Sequence, residues 1–202
     1  MTRADRVRTH LSGEILREVS RSFYLSLRLL PRALRGCVSL GYLLARTSDT
    51  IADAPGLGSC ERLELLEAMR AVVRGEGERE VFCRRLRNEV APVVEHRGEA
   101  ELLLHCDGCL DWLGSLGARQ GGHVRGVFEE IIRGQMLDVE RFPDASVLRA
   151  LSTAGELEEY TYLVAGSVGS FWTEVCVDEL GENVFAEDRE TMIARGVAYG
   201  KG

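Results

Sequence analysis

The sequence predicts an all-α protein forming a single helical unit over residues 1–202, and three observations predict it. Apolar residues recur at intervals of three and four along most of the chain. No stretch alternates apolar and polar residues with the period of two that a half-buried strand needs. Only four prolines interrupt 202 residues, of which 45% are hydrophobic. That is enough apolar material for one sizeable core.

Each element has its own signal. Ile15, Leu16, Val19, Phe23 and Leu27 mark an amphipathic first helix, which Pro31 ends while opening the next. The second helix runs to about Asp53, where Ala54-Pro55-Gly56-Leu57-Gly58 makes a loop. Ser59 is placed to cap a third helix, with Leu63, Leu65, Leu66 and Met69 along it. Arg74-Gly-Glu-Gly-Glu78 breaks that helix. Further helical segments fall near 79–90 and 99–118, and Gly121-Gly122 predicts another break. A helix from about Val124 to Phe142 stops at Pro143. A long helix from about Ser146 to Leu180 follows, with a kink expected near Gly155 or Gly166, and a last helix begins near Glu187.

Charge and composition exclude several classes. The net charge of −7 divides into +5 for residues 1–50 and −12 for the remainder, an acidic balance that argues against nucleic acid as a partner. The basic first segment suits peripheral contact with acidic lipid head groups or service to a diphosphate substrate, although a frayed, solvated terminus is the favoured account of Arg3, Arg6 and Arg8. No run of about 18 apolar residues could span a membrane. The opening Met-Thr-Arg-Ala-Asp-Arg lacks the apolar stretch of a secretory signal. Six scattered cysteines without framework spacing read as free thiols of a reducing cytoplasm. His105-Cys106-Asp-Gly-Cys109 contains a Cys-x-x-Cys, but no second pair completes a zinc site and no strand precedes it, so buried thiols are the expectation.

The chemistry concentrates in Tyr42-Leu-Leu-Ala-Arg46-Thr-Ser-Asp49-Thr-Ile-Ala-Asp53. Tyr42, Arg46, Asp49 and Asp53 follow i, i+4, i+7, i+11 spacing and make one polar stripe on a segment too apolar for a surface helix. Two neighbouring carboxylates repel, and a cation between them removes that cost. Oxygen ligands so placed suit Mg²⁺, which takes one or two carboxylates together with substrate phosphates. Arg46 can present its fork of donors to the same phosphate. The stripe therefore points to a metal-bound diphosphate, while a solvated helix face carrying two Asp remains the plain alternative.

Three blocks, in order, carry a wider resemblance. Ser20-Arg21-Ser22-Phe23-Tyr24, then Leu30-Pro31 and the Tyr42–Asp53 stripe, form the first. Ile132-Arg-Gly134-Gln135-Met-Leu-Asp138-Val-Glu-Arg141-Phe142 is the second, and Tyr160-Thr-Tyr162-Leu-Val-Ala165-Gly166-Ser-Val-Gly169 the third. From about Glu14 to Gly202 the chain resembles the squalene/phytoene synthase family of head-to-head prenyl synthases.

The resemblance implies an isoprenoid-synthase-type helical bundle that condenses two allylic isoprenoid diphosphates. Asp49 and Asp53 would hold Mg²⁺, Arg46 would bind diphosphate, and Ser20, Arg21 and Ser22 would add contacts to it. Phe23 and Tyr42 would line the cavity near the reacting carbons. Gln135, Asp138, Ala165 and Gly166 would lie near the substrate. Plainer roles stand beside these: an ion pair for Arg21 or for Asp138 with Arg141, core packing for Phe23, and close helix packing for the Ala165-Gly166-Gly169 stripe. Tyr160, Tyr162, Phe171 and Trp172 read as core.

The texture of the second block and of Phe171-Trp172 resembles squalene-type members. Squalene formation would add a need for NADPH, although no Gly-x-Gly-x-x-Gly marks a nicotinamide site. The family's second acidic motif, Gln-x-x-Asn-x-x-Arg-Asp-x-x-x-Asp, is not found in these 202 residues. The expectation is a bundle truncated before the helix that carries this motif. Such a chain would have little activity alone, and a non-catalytic diphosphate-binding relative, or a partner of a full-length synthase, is the alternative.

Overall fold

A computed structural model describes residues 2–143 and 150–202, with Glu182 described by its backbone alone. The described residues form twelve α-helices joined by short turns, and no strand occurs among them. The chain opens with α1, Arg3–His10, whose cap is Thr2: its hydroxyl accepts from the Asp5 N–H while the Asp5 carboxylate accepts from the Thr2 N–H. A π-helical turn, Leu11–Ile15, leads into α2, Leu16–Ser20. The first helix expected from the apolar spacing does not run through to Leu27. It breaks at Arg21, the only described non-glycine residue with positive φ, at 46°. A separate short helix, α3, Phe23–Leu29, follows.

The central element is α4, Arg32–Ala52. Pro31 supplies its start with an extended ψ of 146°, and Pro55 bars its continuation. Leu40, Leu43, Leu44 and Ile51 are fully buried. Helices α5 (Ser59–Arg74), α7 (Arg97–Leu104), α8 (Cys106–Ser115), α9 (Ala118–Arg141) and α11 (Ser167–Leu180) pack around it. Two connecting helices complete that ring of sequence, α6 (Arg79–Arg85) between α5 and α7, and α10 (Ala154–Thr161) before α11. The last helix is α12, Arg189–Lys201.

Several boundaries differ from those expected. Gly58, not Ser59, caps α5, its N–H donating to the Glu61 carboxylate at 2.8 Å. Gly121-Gly122 do not break the chain: α9 runs through both. Gly121 is buried against α8, where an added Cβ would meet the Arg125 side chain and lie close to Leu113 and Leu116. Packing of the helix face outweighs a cost of about 1 kcal/mol per glycine. The expected start of the next helix, near Ser146, lies outside the described residues; its described part begins with α10 and passes through a π-helical turn, Tyr162–Gly166, into α11. That turn is where a kink near Gly166 was expected. Phe171 is core as expected, packing on Gly41 of α4, but Tyr162 and Trp172 are 38% and 40% exposed. No described helix is long and apolar enough to cross a membrane. All six cysteines are free, and Cys106 and Cys109 are buried.

Two salt-bridged networks brace the bundle. Glu129 of α9 accepts from both Arg70 and Arg74 of α5. His123 of α9 lies between two carboxylates of α11, with Nδ1 3.1 Å from Glu174 and Nε2 2.7 Å from Asp178. Asp178 also receives Arg189 of α12 at 2.6 Å.

Candidate functional site

The polar stripe of α4 opens onto a cavity of 350 Å³ between α4, α9 and the α10–α11 segment. Tyr42, Arg46, Asp49 and Asp53 come from α4 and its end; Ile131, Gln135 and Asp138 come from α9; Tyr160, Val164 and Val168 come from the facing segment. Beside the stripe α4 is held in the core, where Leu40, Leu43, Leu44, Thr47, Ser48 and Ile51 are buried. The α9 residues follow the same logic: positions 131, 135 and 138 share one helical face.

Inside the cavity Arg46 is the organising cation. Its Nη1 lies 2.6 Å from Asp49 Oδ2, and its Nη2 donates to the Tyr42 hydroxyl at 3.4 Å. Tyr42 in turn donates to the Val19 carbonyl at 3.0 Å, tying the site to α2. The guanidinium carbon stands 5.9 Å from the centroid of the Tyr42 ring, within cation–π reach. Burial pulls the Arg46 pKa down, but Tyr42, Asp49 and Glu99 of α7 outweigh it and hold the guanidinium firmly charged.

The carboxylates are less well served. Burial pushes the Asp49 carboxyl above its ordinary range; Arg46 opposes this, and the charges of Asp53 and Glu99 add to it. Asp138 is raised by burial and by Asp53 across the cavity. The Tyr160 phenol is raised by burial and then by Asp138, Asp49 and Asp53 together. Three carboxylates and one phenol thus share an acidic field with a single cation among the described residues that line the cavity. The carboxylate oxygens do not all close to within 4.8 Å of one another. Two buried polar atoms at the cavity, Gln135 Oε1 and Arg46 Nε, have no hydrogen-bond partner. The Gln135 oxygen is a further hard acceptor, and the Arg46 Nε is a spare donor for an anion.

Other residues singled out in the sequence fall around this cavity rather than in it. The Ser20 hydroxyl is buried and donates to the Leu16 carbonyl at 2.5 Å. Arg21 and Ser22 are exposed at the turn before α3. Phe23, for which core packing was the strong alternative, is 46% exposed and lies against Tyr42, ring centroids 5.7 Å apart. Ala165 and Gly166 face α12: a Cβ on Gly166 would meet the Lys201 side chain, and one on Gly200 would meet the Ala165 carbonyl. Val164 and Val168, from the same segment, reach the cavity instead. Arg141 pairs with Glu159 at 3.2 Å, leaving Asp138 without it. Tyr160 read as core yet lines the cavity, and only its place in the third block could have marked it. Asp107-Gly-Cys-Leu-Asp111 repeats the Asp-x-x-x-Asp spacing beyond residue 53. It serves Arg79, which pairs with Asp111 at 2.7 Å and donates to the Asp107 carbonyl, and neither Asp lines this cavity.

Comparison with known proteins agrees with this arrangement. The squalene/phytoene synthase family matches residues 16–201. A search of curated proteins returned no match. Among solved structures the chain is similar to TcSQS in complex with the ligand E5700, at 23% identity and a TM-score of 0.68, over 95% of this chain and 51% of that one. It is likewise similar to TcSQS in complex with BPH1237, at 22% identity and a TM-score of 0.68, over 96% and 51%. The chain spans about half the length of these structures, and the likeness to them is one of fold. The family match runs from α2 through α12 and takes in all three sequence blocks: the chain belongs to the squalene/phytoene synthase family.

Proposed function

We propose that the α4–α9 cavity binds an isoprenoid diphosphate with Mg²⁺, and that the protein condenses two such diphosphates head to head, farnesyl diphosphate to squalene rather than geranylgeranyl diphosphate to phytoene. The observation that carries this reading is the acidic field: Asp49 and Asp138 are both raised by burial, and Asp53 adds to each, around a cavity whose described lining holds one cation, Arg46. Such a field is costly in an empty cavity and useful in one that receives a divalent ion. The donors are all oxygen, as Mg²⁺ requires, with Asp49 and Asp53 as its holders and Asp138 and Gln135 available opposite. When bound, the ion would neutralise charge developing on the departing diphosphate.

The chain's own groups have separate tasks. Arg46 is placed to bind diphosphate oxygens, its Nε free to donate and its orientation fixed by Tyr42 and Asp49. Ile131, Val164 and Val168 offer an apolar wall to an isoprenoid chain and exclude water from a reacting allylic cation. The faces of Tyr42 and Tyr160 can stabilise that cation through the ring quadrupole. Ser20, Arg21, Ser22 and Phe23 would act at the edge of the site, through Tyr42.

Binding of the inert analogue farnesyl thiolodiphosphate, followed calorimetrically with and without Mg²⁺, tests the site. Mg²⁺-dependent binding that falls at least about tenfold in Asp49→Asn and in Asp53→Asn supports it; binding unchanged in both variants removes these residues from it. In turnover assays the same variants should lower the rate by about 10²–10³-fold. Product analysis with farnesyl and geranylgeranyl diphosphate, with and without NADPH, decides between squalene and phytoene. Analogue binding without turnover would favour a diphosphate-binding relative over an enzyme.

A further inference from the structure

A second set of metal-capable side chains lies where the first helix meets α7 and α8, and none of its members lines the α4–α9 cavity. His10 closes α1, Glu101 stands on α7, and His105 ends α7 one turn later. One donor atom from each lies within 4.8 Å of the other two, the only such trio of His, Cys, Asp or Glu among the described residues. The two imidazoles meet edge to face, centroids 5.1 Å apart at 64°.

Both rings are already oriented through Nδ1. That of His10 lies 3.0 Å from a Glu14 carboxylate oxygen, and that of His105 lies 2.9 Å from the Glu101 carbonyl. A metal-bound histidine characteristically donates one ring N–H to a carboxylate or a backbone carbonyl, fixing the tautomer that leaves the other nitrogen free to ligate. Here one histidine has each kind of partner, and Glu101 Oε2 stands 3.7 Å from the same His105 Nδ1. The three side chains are between 35% and 41% exposed, and a cleft lined by His10, Glu14 and Glu101 gives an ion a way in. Two imidazole nitrogens with one carboxylate suit Zn²⁺; the all-oxygen set of the α4–α9 cavity suits Mg²⁺.

We propose that His10, Glu101 and His105 form a Zn²⁺ site, its fourth position taken by water. The ion ties α1 to the end of α7. No residue of α1 is fully buried, and Val7 packs half-buried against the core, so the ion adds to a thin contact. The site is independent of the diphosphate reading and stands or falls without it.

The test is titration of the metal-free protein with ZnCl₂, in a Cys60→Ser background that removes the one exposed thiol. One equivalent of Zn²⁺ should bind and raise the melting temperature. Co²⁺ should give tetrahedral visible bands without a thiolate charge-transfer band. His10→Ala, at the end of a helix with no fully buried residue, should keep the metal-free melting temperature and far-ultraviolet circular dichroism of the parent, yet lose affinity at least tenfold and lose the Zn²⁺-induced shift. Glu101→Gln should do the same to a smaller degree. Absence of stoichiometric binding, a thiolate band with Co²⁺, or unchanged affinity in His10→Ala would each overturn the site.

Discussion

Asp178 and Asp138 occupy similar positions, each on a helix packed beside the next, but their carboxylates have opposite surroundings. Asp178 accepts from Arg189 and faces His123, and these partners, Arg189 foremost, hold its carboxyl below the usual range despite some burial. Asp138 has no ion-pair partner among the described residues, and burial together with Asp53 holds it above that range. The same side chain is a brace in one place and a liability in the other. A fold that tolerates the second arrangement keeps charge in reserve for something that binds, whereas the first is complete as it stands.

The largest expected effect breaks the brace. Asp178→Ala takes from His123 and Arg189 the carboxylate they share among partly buried groups and should lower stability by about 3 kcal/mol in denaturant unfolding. The pH dependence follows from the sign of the shift. With a folded pKa below the unfolded value of about 3.9, Asp178 contributes stability above that value and loses it as pH falls through the folded pKa. Acid melts of the parent should therefore be steeper than those of the variant; identical acid limbs would remove Asp178 from the brace.

A smaller effect tests what brings Arg189 within reach. A Cβ built on Gly169 of α11 would fall on the Gly196 carbonyl of α12, backbone against backbone. Gly169→Ala should cost about 2 kcal/mol, since neither helix can shift a side chain aside to make room. In a double-mutant cycle with Asp178→Ala the two losses should be less than additive, because displacing α12 also takes Arg189 from Asp178. Full additivity would show that the brace does not depend on this close approach.

These two regions were unequally legible in the sequence. The cavity was written in helical period: Tyr42, Arg46, Asp49 and Asp53 share a face whatever α4 packs against, and Gln135 and Asp138 share another. Which faces meet is a tertiary matter, so the convergence of Asp138 with Asp53, and the place of Tyr160 beside them, needed the structure. The small-residue stripe was visible too, but Ala165 and Gly166 could as well have faced a ligand as the backbone of α12. The break at Arg21 had no glycine or proline to announce it, and Gly121-Gly122 announced a break that packing overrode. The brace was invisible, because His123, Asp178 and Arg189 are held together only by the way α9, α11 and α12 pack. His10 and His105 are 95 residues apart, and only the packing of α1 against the end of α7 makes a pair of them.

The smallest effect is the sharpest contrast, because its sign should be reversed. Asp138 has a raised folded pKa, so its contribution to stability is present below the unfolded pKa and is lost as pH rises through the folded value. At neutral pH its ionised form works against the fold, and Asp138→Asn should melt at or slightly above the parent in the absence of divalent ions. Adding millimolar Mg²⁺ should raise the melting temperature of the parent, as expected for any ligand that prefers the folded state, and should raise that of the variant less. The Asp178→Ala protein should respond to Mg²⁺ as the parent does, from its lower starting point. If Asp138→Asn melts lower than the parent and Mg²⁺ moves both equally, the carboxylate belongs to the scaffold. The acidic field of the cavity would then be an incident of packing rather than a place held for a cation.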